Sequence, residues 1–158
     1  MTLALSSGTG ARRIAIVVGA FLALGVMRVP SADAGKADDY ARDAVTATNA
    51  QRVAHGRREL GANACLKKMA SKQATRMASQ ERMFHQPLGP IQNLCGMNWV
   101  GENVAYNYPT GAKVVAAWMA SPEHRANILR GQFRRIGVGA RKGANGVWYV
   151  SQVFGART

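Results

Sequence analysis

The sequence predicts an α+β domain in which helices cover an antiparallel sheet. Three features predict this class: helical periodicity before residue 80, two short helices that meet at Ser121-Pro122, and a β-hairpin near the C-terminus. No internal repeat or Pro-rich linker follows Gly35, so we expect a single domain over residues 35–158.

An apolar leader opens the chain. Residues 14–27 are apolar and follow two arginines, and the small residues of an A-x-A cleavage site end at Ala34. The apolar run is shorter than the roughly 20 residues that span a bilayer, and Pro30 follows it closely. We therefore expect residues 1–34 to be a secretory signal peptide and the domain to be secreted. An uncleaved membrane anchor is the alternative.

Two helices are predicted in the first half of the domain. Residues 38–54 are good helix formers, and Asp38 lies in the opening turn, where a carboxylate favours the helix dipole. The second helix is predicted to begin after Asn63 as its N-cap, since apolar residues then recur every three or four positions from Leu66 to Met77.

The middle of the chain is rich in Pro and Gly. Residues 83–109 therefore predict a long, mostly irregular connection, which compact domains keep mainly for function. A helix is expected from about Thr110, and Ser121 and Pro122 provide the N-cap and first position of another that ends near Arg130.

A β-hairpin is predicted at the C-terminal end. Apolar Ile136, Val138 and Ala140 alternate with glycines, and Asn145-Gly146 is a strong turn signal before a second apolar run. The glycines on one face of the first strand indicate that a helix or a ligand packs closely against it.

Charge and cysteine content restrict the classes of function. The chain carries 21 Lys and Arg against 8 Asp and Glu, a net charge of +13. This charge favours electrostatic association with an anionic cell envelope, and a generic soluble cationic surface is the equal alternative. Predicted export and the lack of an aromatic-basic repeat argue against nucleic acid. In an oxidising compartment, Cys65 and Cys95 are expected to form a disulfide, with two buried thiols as the alternative.

Familiar catalytic motifs are absent from the sequence, which has no G-x-S-x-G, H-E-x-x-H or P-loop. No Asp follows Asp43, so a Ser-His-acid triad would have to use one of four glutamates. A triad hydrolase is therefore not expected.

The remaining candidates for chemistry are His85, Glu102, Glu123 and His124. Two imidazoles and a carboxylate, from His85, Glu102 and His124, are a donor set for a divalent metal with one open position. His124 falls in the first turn of a helix, whose dipole favours a neutral ring. The structural alternatives are a hydrogen-bonded loop histidine, a carboxylate bonded to its own turn, and Glu123 placed only at a helix N-terminus.

Several motifs occur in the order found in one protein family. They are TNAQRVAHGRREL, MFHQ, GENVA, AWMASPEHRANIL, FRRIGVG and YVSQVFG. Together they resemble the CAP superfamily (cysteine-rich secretory proteins, antigen 5 and pathogenesis-related proteins), in particular its bacterial SCP-like extracellular branch. The resemblance implies a three-layer α-β-α sandwich. In eukaryotic members, two His and two Glu line its central cleft and hold a divalent metal.

Only part of that metal site is matched in this sequence. His85 and Glu102 match the first His and the GEN-type Glu, but Ser121 and Tyr149 stand where the eukaryotic pattern has the second Glu and His. His124, usual in the bacterial branch, is the replacement that the sequence offers. The family has no generally accepted enzymatic activity.

The leading hypothesis is a secreted, monomeric, non-enzymatic binding domain. Its cleft, lined by His85, Glu102, Glu123 and His124, would hold a divalent metal such as zinc or a small ligand. One alternative is a metal-dependent hydrolase acting on peptide or cell-wall substrate, with Glu102 or Glu123 as base. The other is a cationic protein that binds lipid or another envelope component through charge alone.

Overall fold

The computed structural model describes residues 32–157, so the predicted signal peptide lies outside the described residues except for its last three positions. Within the described part, no helix is both long and apolar enough to cross a membrane.

Five helices and four strands make up the described chain. In order they are α1 Ala32–Ala54, β1 Gly61–Ala62, α2 Ala64–Ser79, α3 Gly89–Cys95, β2 Trp99–Tyr106, α4 Gly111–Ala120, α5 Pro122–Leu129, β3 Arg135–Lys142 and β4 Trp148–Ala156. The sheet order is β1-β3-β4-β2, with β4 antiparallel to both of its neighbours and β1 parallel to β3. α2 packs on one face of the sheet, and α1 and α4 cover the other. The predicted α+β class and the layered fold are confirmed. The sheet is mixed rather than antiparallel throughout, because the short strand β1 pairs with β3 in parallel.

The glycine face of β3 receives α2. A Cβ at Gly137 or Gly139 would lie 2.1 Å or 2.3 Å from the backbone nitrogens of Lys67 and Ser71. Only glycine therefore lets the helix approach the strand this closely. As predicted, Asn63 caps α2, its side chain accepting a hydrogen bond from the backbone of Leu66.

The opposite face of the sheet holds the larger apolar core. Side chains of α1, α4, β3 and β4 meet there, among them Tyr40, Val114, Trp118, Val138 and Phe154. At Gly111, the first residue of α4, the carbonyl of Tyr40 lies 2.5 Å from the position of a Cβ, so α1 and α4 are in backbone contact.

The expectation of an irregular connection over residues 83–109 was wrong, because this segment contains α3 and β2. β2 carries Gly101, Glu102 and Asn103, residue types that are depleted in strands and typical of turns. Pairing with β4 along its length, rather than local propensity, makes it a strand.

α1 also begins before residue 38, since the preceding residues include no proline and several alanines.

Two predicted local features are confirmed. Cys65 and Cys95 form a disulfide that joins the start of α2 to the end of α3. The hairpin between β3 and β4 turns at residues 143–147, where Gly146 has a positive φ of 77°.

A buried arginine connects the end of α1 to the loop that follows it and to the C-terminal end of α5. Arg52 is 1% exposed, and its guanidinium donates to the carbonyl oxygens of Arg58 at 2.8 Å, Ile128 at 2.5 Å and Arg130 at 3.1 Å. These bonds satisfy backbone groups that have no strand or helix partner.

Candidate binding site

Glu102 is the buried centre of the site. It lies on β2, and its side chain is only 1% exposed. Four donors reach the carboxylate: His85 Nδ1 at 2.9 Å, the Gln86 backbone N–H at 3.2 Å, Gln86 Nε2 at 2.7 Å and Ser151 Oγ at 2.8 Å. Because a carboxylate only accepts, this set of donors satisfies both of its oxygens without an ion of opposite charge from Lys or Arg.

One ring nitrogen of His85 is hydrogen-bonded within the protein, and the other is not. It follows α2 in the chain, and its Nδ1 donates to Glu102. The side chain is 60% exposed. Because Nδ1 is the donor to Glu102, Nε2 is the ring nitrogen left for a ligand, and it has no partner within residues 34–157.

His124 lies in the first turn of α5 and is partly buried. Its Nδ1 lies 2.8 Å from Ser121 Oγ, and its ring centroid lies 6.5 Å from that of Trp118. Burial lowers the pKa of His124 below its usual 6.5; the neighbouring His85 lowers it further, and Glu123 opposes the shift. The ring is therefore neutral at pH 7, as expected, but the main cause is burial rather than the helix dipole.

His85 and His124 come from opposite faces of the sheet. β2 is an edge strand, so the loop after α2 and the start of α5 approach around its free side. A groove of about 210 Å³ lies there, lined in part by Met83, Tyr106, Trp118, Ser121 and His124. The Trp118 indole is fixed by a hydrogen bond of 3.3 Å to the carbonyl of Val104.

Of the four candidate residues, only His124 lines this groove; His85, Glu102 and Glu123 do not belong to its lining. Glu123 also takes no part in the polar contacts of Glu102. It is exposed in the first turn of α5 and acts on His124 through its charge alone. Across residues 34–157, no three His, Cys, Asp or Glu side chains are gathered closely enough to hold a metal ion. The structure thus brings His85 next to Glu102 and near His124, without assembling the three as one set of ligands.

A second layer of polar residues, which the sequence analysis missed, supports the site. Asn103 Nδ2 donates to Gln152 Oε1 at 3.0 Å and to the carbonyl of His124 at 3.2 Å. Asn127 donates to Asn103 Oδ1 at 3.0 Å, and Gln152 donates to Thr48 at 2.7 Å. These bonds fix α5, and with it His124, to β2, β4 and α1. The only sequence signal was the presence of polar residues inside the apolar motifs GENVA and YVSQVFG.

Comparison with known families identifies the family of this chain. A sequence profile of the Cysteine-rich secretory protein family, CAP, matches residues 45–154, which is most of the chain. The chain belongs to the CAP family. Its sequence is 34% identical over 108 residues to the uncharacterized protein YkwD of Bacillus subtilis. That match covers 63% of this chain and 42% of YkwD, so this CAP chain spans less than half of that relative.

Solved structures share the CAP fold at low identity. An extracellular protein from Bacillus anthracis that contains an SCP domain has a TM-score of 0.71 at 22% identity, covering 82% of this chain and 45% of that one. An outer surface protein from Borrelia burgdorferi has a TM-score of 0.63 at 22% identity, covering 72% of this chain and 90% of that one. These likenesses establish the fold.

Proposed function

We propose that this CAP domain is a secreted binding domain that binds a divalent transition-metal ion such as Zn²⁺ through His124, which lines the groove beside β2, and through the neighbouring His85. The observation that carries the proposal is the state of the two imidazoles. Each ring has its Nδ1 engaged within the protein, by Glu102 or by Ser121. Neutral imidazole nitrogen is a preferred ligand of Zn²⁺, and Nε2 is the atom left for it on both rings.

Glu102 supports this function from behind His85. A histidine that binds a metal usually donates its other N–H to a carboxylate, which orients the ring and raises its basicity. The 2.9 Å bond from His85 Nδ1 to Glu102 has this form. From the sequence, Glu102 was expected to be a metal ligand, whereas its four hydrogen bonds suit it better to this supporting role.

The hydrogen bonds of Glu102 also favour binding over hydrolysis. A general base must take a proton from water at the reacting centre. Both oxygens of Glu102 already accept protein hydrogen bonds, and its side chain is 1% exposed. Glu123, the other base considered, lies outside the groove lining.

Secretion is part of the proposal. Two relatives by fold are named as an extracellular protein and an outer surface protein. The apolar leader and the cleavage site before Gly35 agree with this placement. Mass spectrometry of the exported protein should find Gly35 as its first residue, and an intact leader on the exported form would contradict signal-peptide cleavage.

A calorimetric titration of the purified protein with Zn²⁺ tests the metal site. The chain has three histidines, and His55 is exposed at the end of α1, so it provides a matched control. We expect about one equivalent of Zn²⁺ to bind at pH 7. Affinity should fall at least tenfold in His85→Asn and in His124→Asn, because each variant removes one of the two ligands, and it should be unchanged in His55→Asn.

Two outcomes would overturn the metal site. One is the absence of saturable Zn²⁺ binding to the folded wild-type protein. The other is an equal loss of affinity in His55→Asn, which would assign binding to scattered surface histidines. Circular dichroism spectra of all variants show whether the fold is retained.

A further inference from the structure

A second cavity, separate from the groove, lies where β3 begins and β4 ends. Its volume is about 330 Å³, and it is lined by Asn63, Met97, Arg134, Arg135 and Arg157. None of these residues lines the groove beside β2. We call it the arginine cavity.

The positive charge of the arginine cavity is not balanced by an acid. Three contacts between an acidic and a basic side chain occur within residues 34–157, and they join Asp39 to Arg42, Asp38 to Lys67 and Glu102 to His85. None includes Arg134, Arg135 or Arg157. Three guanidinium groups therefore line one cavity, and the described part of the protein supplies no carboxylate bonded to any of them.

Backbone carbonyls position two of the three side chains. Arg157 donates from Nε to the carbonyl of Gly96 at 3.0 Å and from Nη2 to that of Cys95 at 3.4 Å. Arg134 donates to the carbonyl of its neighbour Phe133 at 2.9 Å. Carbonyls orient a guanidinium without neutralising it, so the charge and the remaining N–H donors stay available to a ligand.

Arg135 makes the fewest hydrogen bonds of the three arginines. Its side chain extends over Gly61, where a Cβ would lie 2.5 Å from Nη1. Its guanidinium makes no hydrogen bond within the described residues. A planar group with all of its donors free, beside two fixed groups of the same kind, fits the oxygens of a phosphate, which guanidinium binds in a bidentate manner.

Neighbouring groups agree with an anion site. Arg134 and Arg57, after burial, contribute to lowering the pKa of Arg52, so positive charge is crowded on this side of the molecule. Asn63 uses its Oδ1 to cap α2, which leaves its amide N–H groups free beside the arginines.

We infer that the arginine cavity binds a phosphate-bearing ligand, with Arg134, Arg135 and Arg157 as its contacts. The phosphate can belong to a soluble or polymeric phosphate or to a lipid headgroup, and the chemistry of recognition is the same. The inference concerns one site of defined residues. It differs in this respect from a general attraction of a protein with a net charge of +13 to anionic surfaces.

Titration with inorganic pyrophosphate tests this site. The variants are Arg135→Gln alone, which breaks no hydrogen bond of the described residues, and Arg135→Gln with Arg157→Gln. The matched control is Arg141→Gln with Lys142→Gln, which removes two exposed charges at the other end of β3. We expect pyrophosphate affinity to fall several-fold in the single variant and at least tenfold in the double variant, and to change less than twofold in the control.

Vesicles distinguish the source of the phosphate. Phosphatidylcholine vesicles with and without phosphatidylglycerol are compared by sedimentation. Binding only to the anionic vesicles, lost in the double variant but not in the control, would assign a lipid headgroup. Pyrophosphate binding without vesicle binding would assign a soluble or polymeric phosphate. Equal losses in the double variant and the control, or no saturable binding of either probe, would overturn the inference.

Discussion

The groove beside β2 and the arginine cavity are both polar, but the charged groups of the two regions have different partners. Next to the groove, the buried carboxylate of Glu102 accepts four hydrogen bonds, and each nearby imidazole keeps one nitrogen free. In the arginine cavity, three guanidinium groups have no acidic partner within the described residues, and two of them are oriented by carbonyl oxygens. The first region therefore contributes to stability and presents imidazole nitrogens to a ligand. The second presents positive charge that an anionic ligand can balance.

The largest expected effect comes from the disulfide, because it anchors one region and not the other. Cys95 ends α3, and its carbonyl accepts from Arg157 of the arginine cavity. Chain entropy over a separation of 30 residues predicts that Cys65→Ala with Cys95→Ala lowers the free energy of unfolding by about 3 to 4 kcal/mol. Denaturant unfolding measures this loss.

The same double cysteine variant separates the two regions. Below its unfolding midpoint it should bind pyrophosphate more weakly than the wild type. Its Zn²⁺ affinity should be unchanged, because the hydrogen bonds that hold His85, Glu102 and His124 do not involve α3. Equal weakening of both ligands would show that the regions are not independent.

A smaller effect is expected from Glu102→Gln. The amide replaces one acceptor oxygen with a donor, so at least one of the four buried bonds is lost, at a cost of about 2 kcal/mol in the free energy of unfolding. Glu123→Gln is the matched control, and because Glu123 is exposed its effect should lie within about 0.5 kcal/mol. If the two variants are equally stable, Glu102 does not organise the site.

The pH dependence of stability should show a still smaller contribution from His124. Its pKa is lower in the folded protein than the usual 6.5, so the unfolded chain binds more protons as the pH falls below about 6.5. The contribution of the neutral ring to stability is therefore complete above that pH and decreases as the pH falls through the folded pKa. His124→Asn should lose less stability than the wild type between about pH 7.5 and pH 5.

His55→Asn is the control for that comparison, because His55 is exposed at the end of α1. It should follow the wild-type curve. A His124→Asn curve parallel to the wild type would show that the ring is not desolvated.

Sequence reasoning found the elements with strong local signals. The Asn63 cap of α2, the Ser121-Pro122 helix junction, the hairpin and the disulfide each depend on a few neighbouring residues or on the compartment. β2 was missed, because a strand that carries Gly, Glu and Asn is formed by pairing with β4 rather than by its own propensity.

The supporting contacts of the site could not be predicted from local sequence either, because they also depend on strand pairing between distant residues. Ser151 reaches Glu102 across 49 residues of sequence, through the register of β2 against β4. The sequence named His85, Glu102 and His124 as candidates, but only that register shows that Glu102 faces His85 and not an open ligand position.

The most direct test of the central claim is the state of the histidine rings. Long-range ¹H–¹⁵N spectra of the labelled protein report the proton on each ring nitrogen, before and after one equivalent of Zn²⁺. We predict that His85 carries its proton on Nδ1, that the Nε2 signals of His85 and His124 shift together with Zn²⁺, and that His55 does not respond. A proton on Nε2 of His85, or Zn²⁺ shifts that leave His85 and His124 unchanged, would contradict the account.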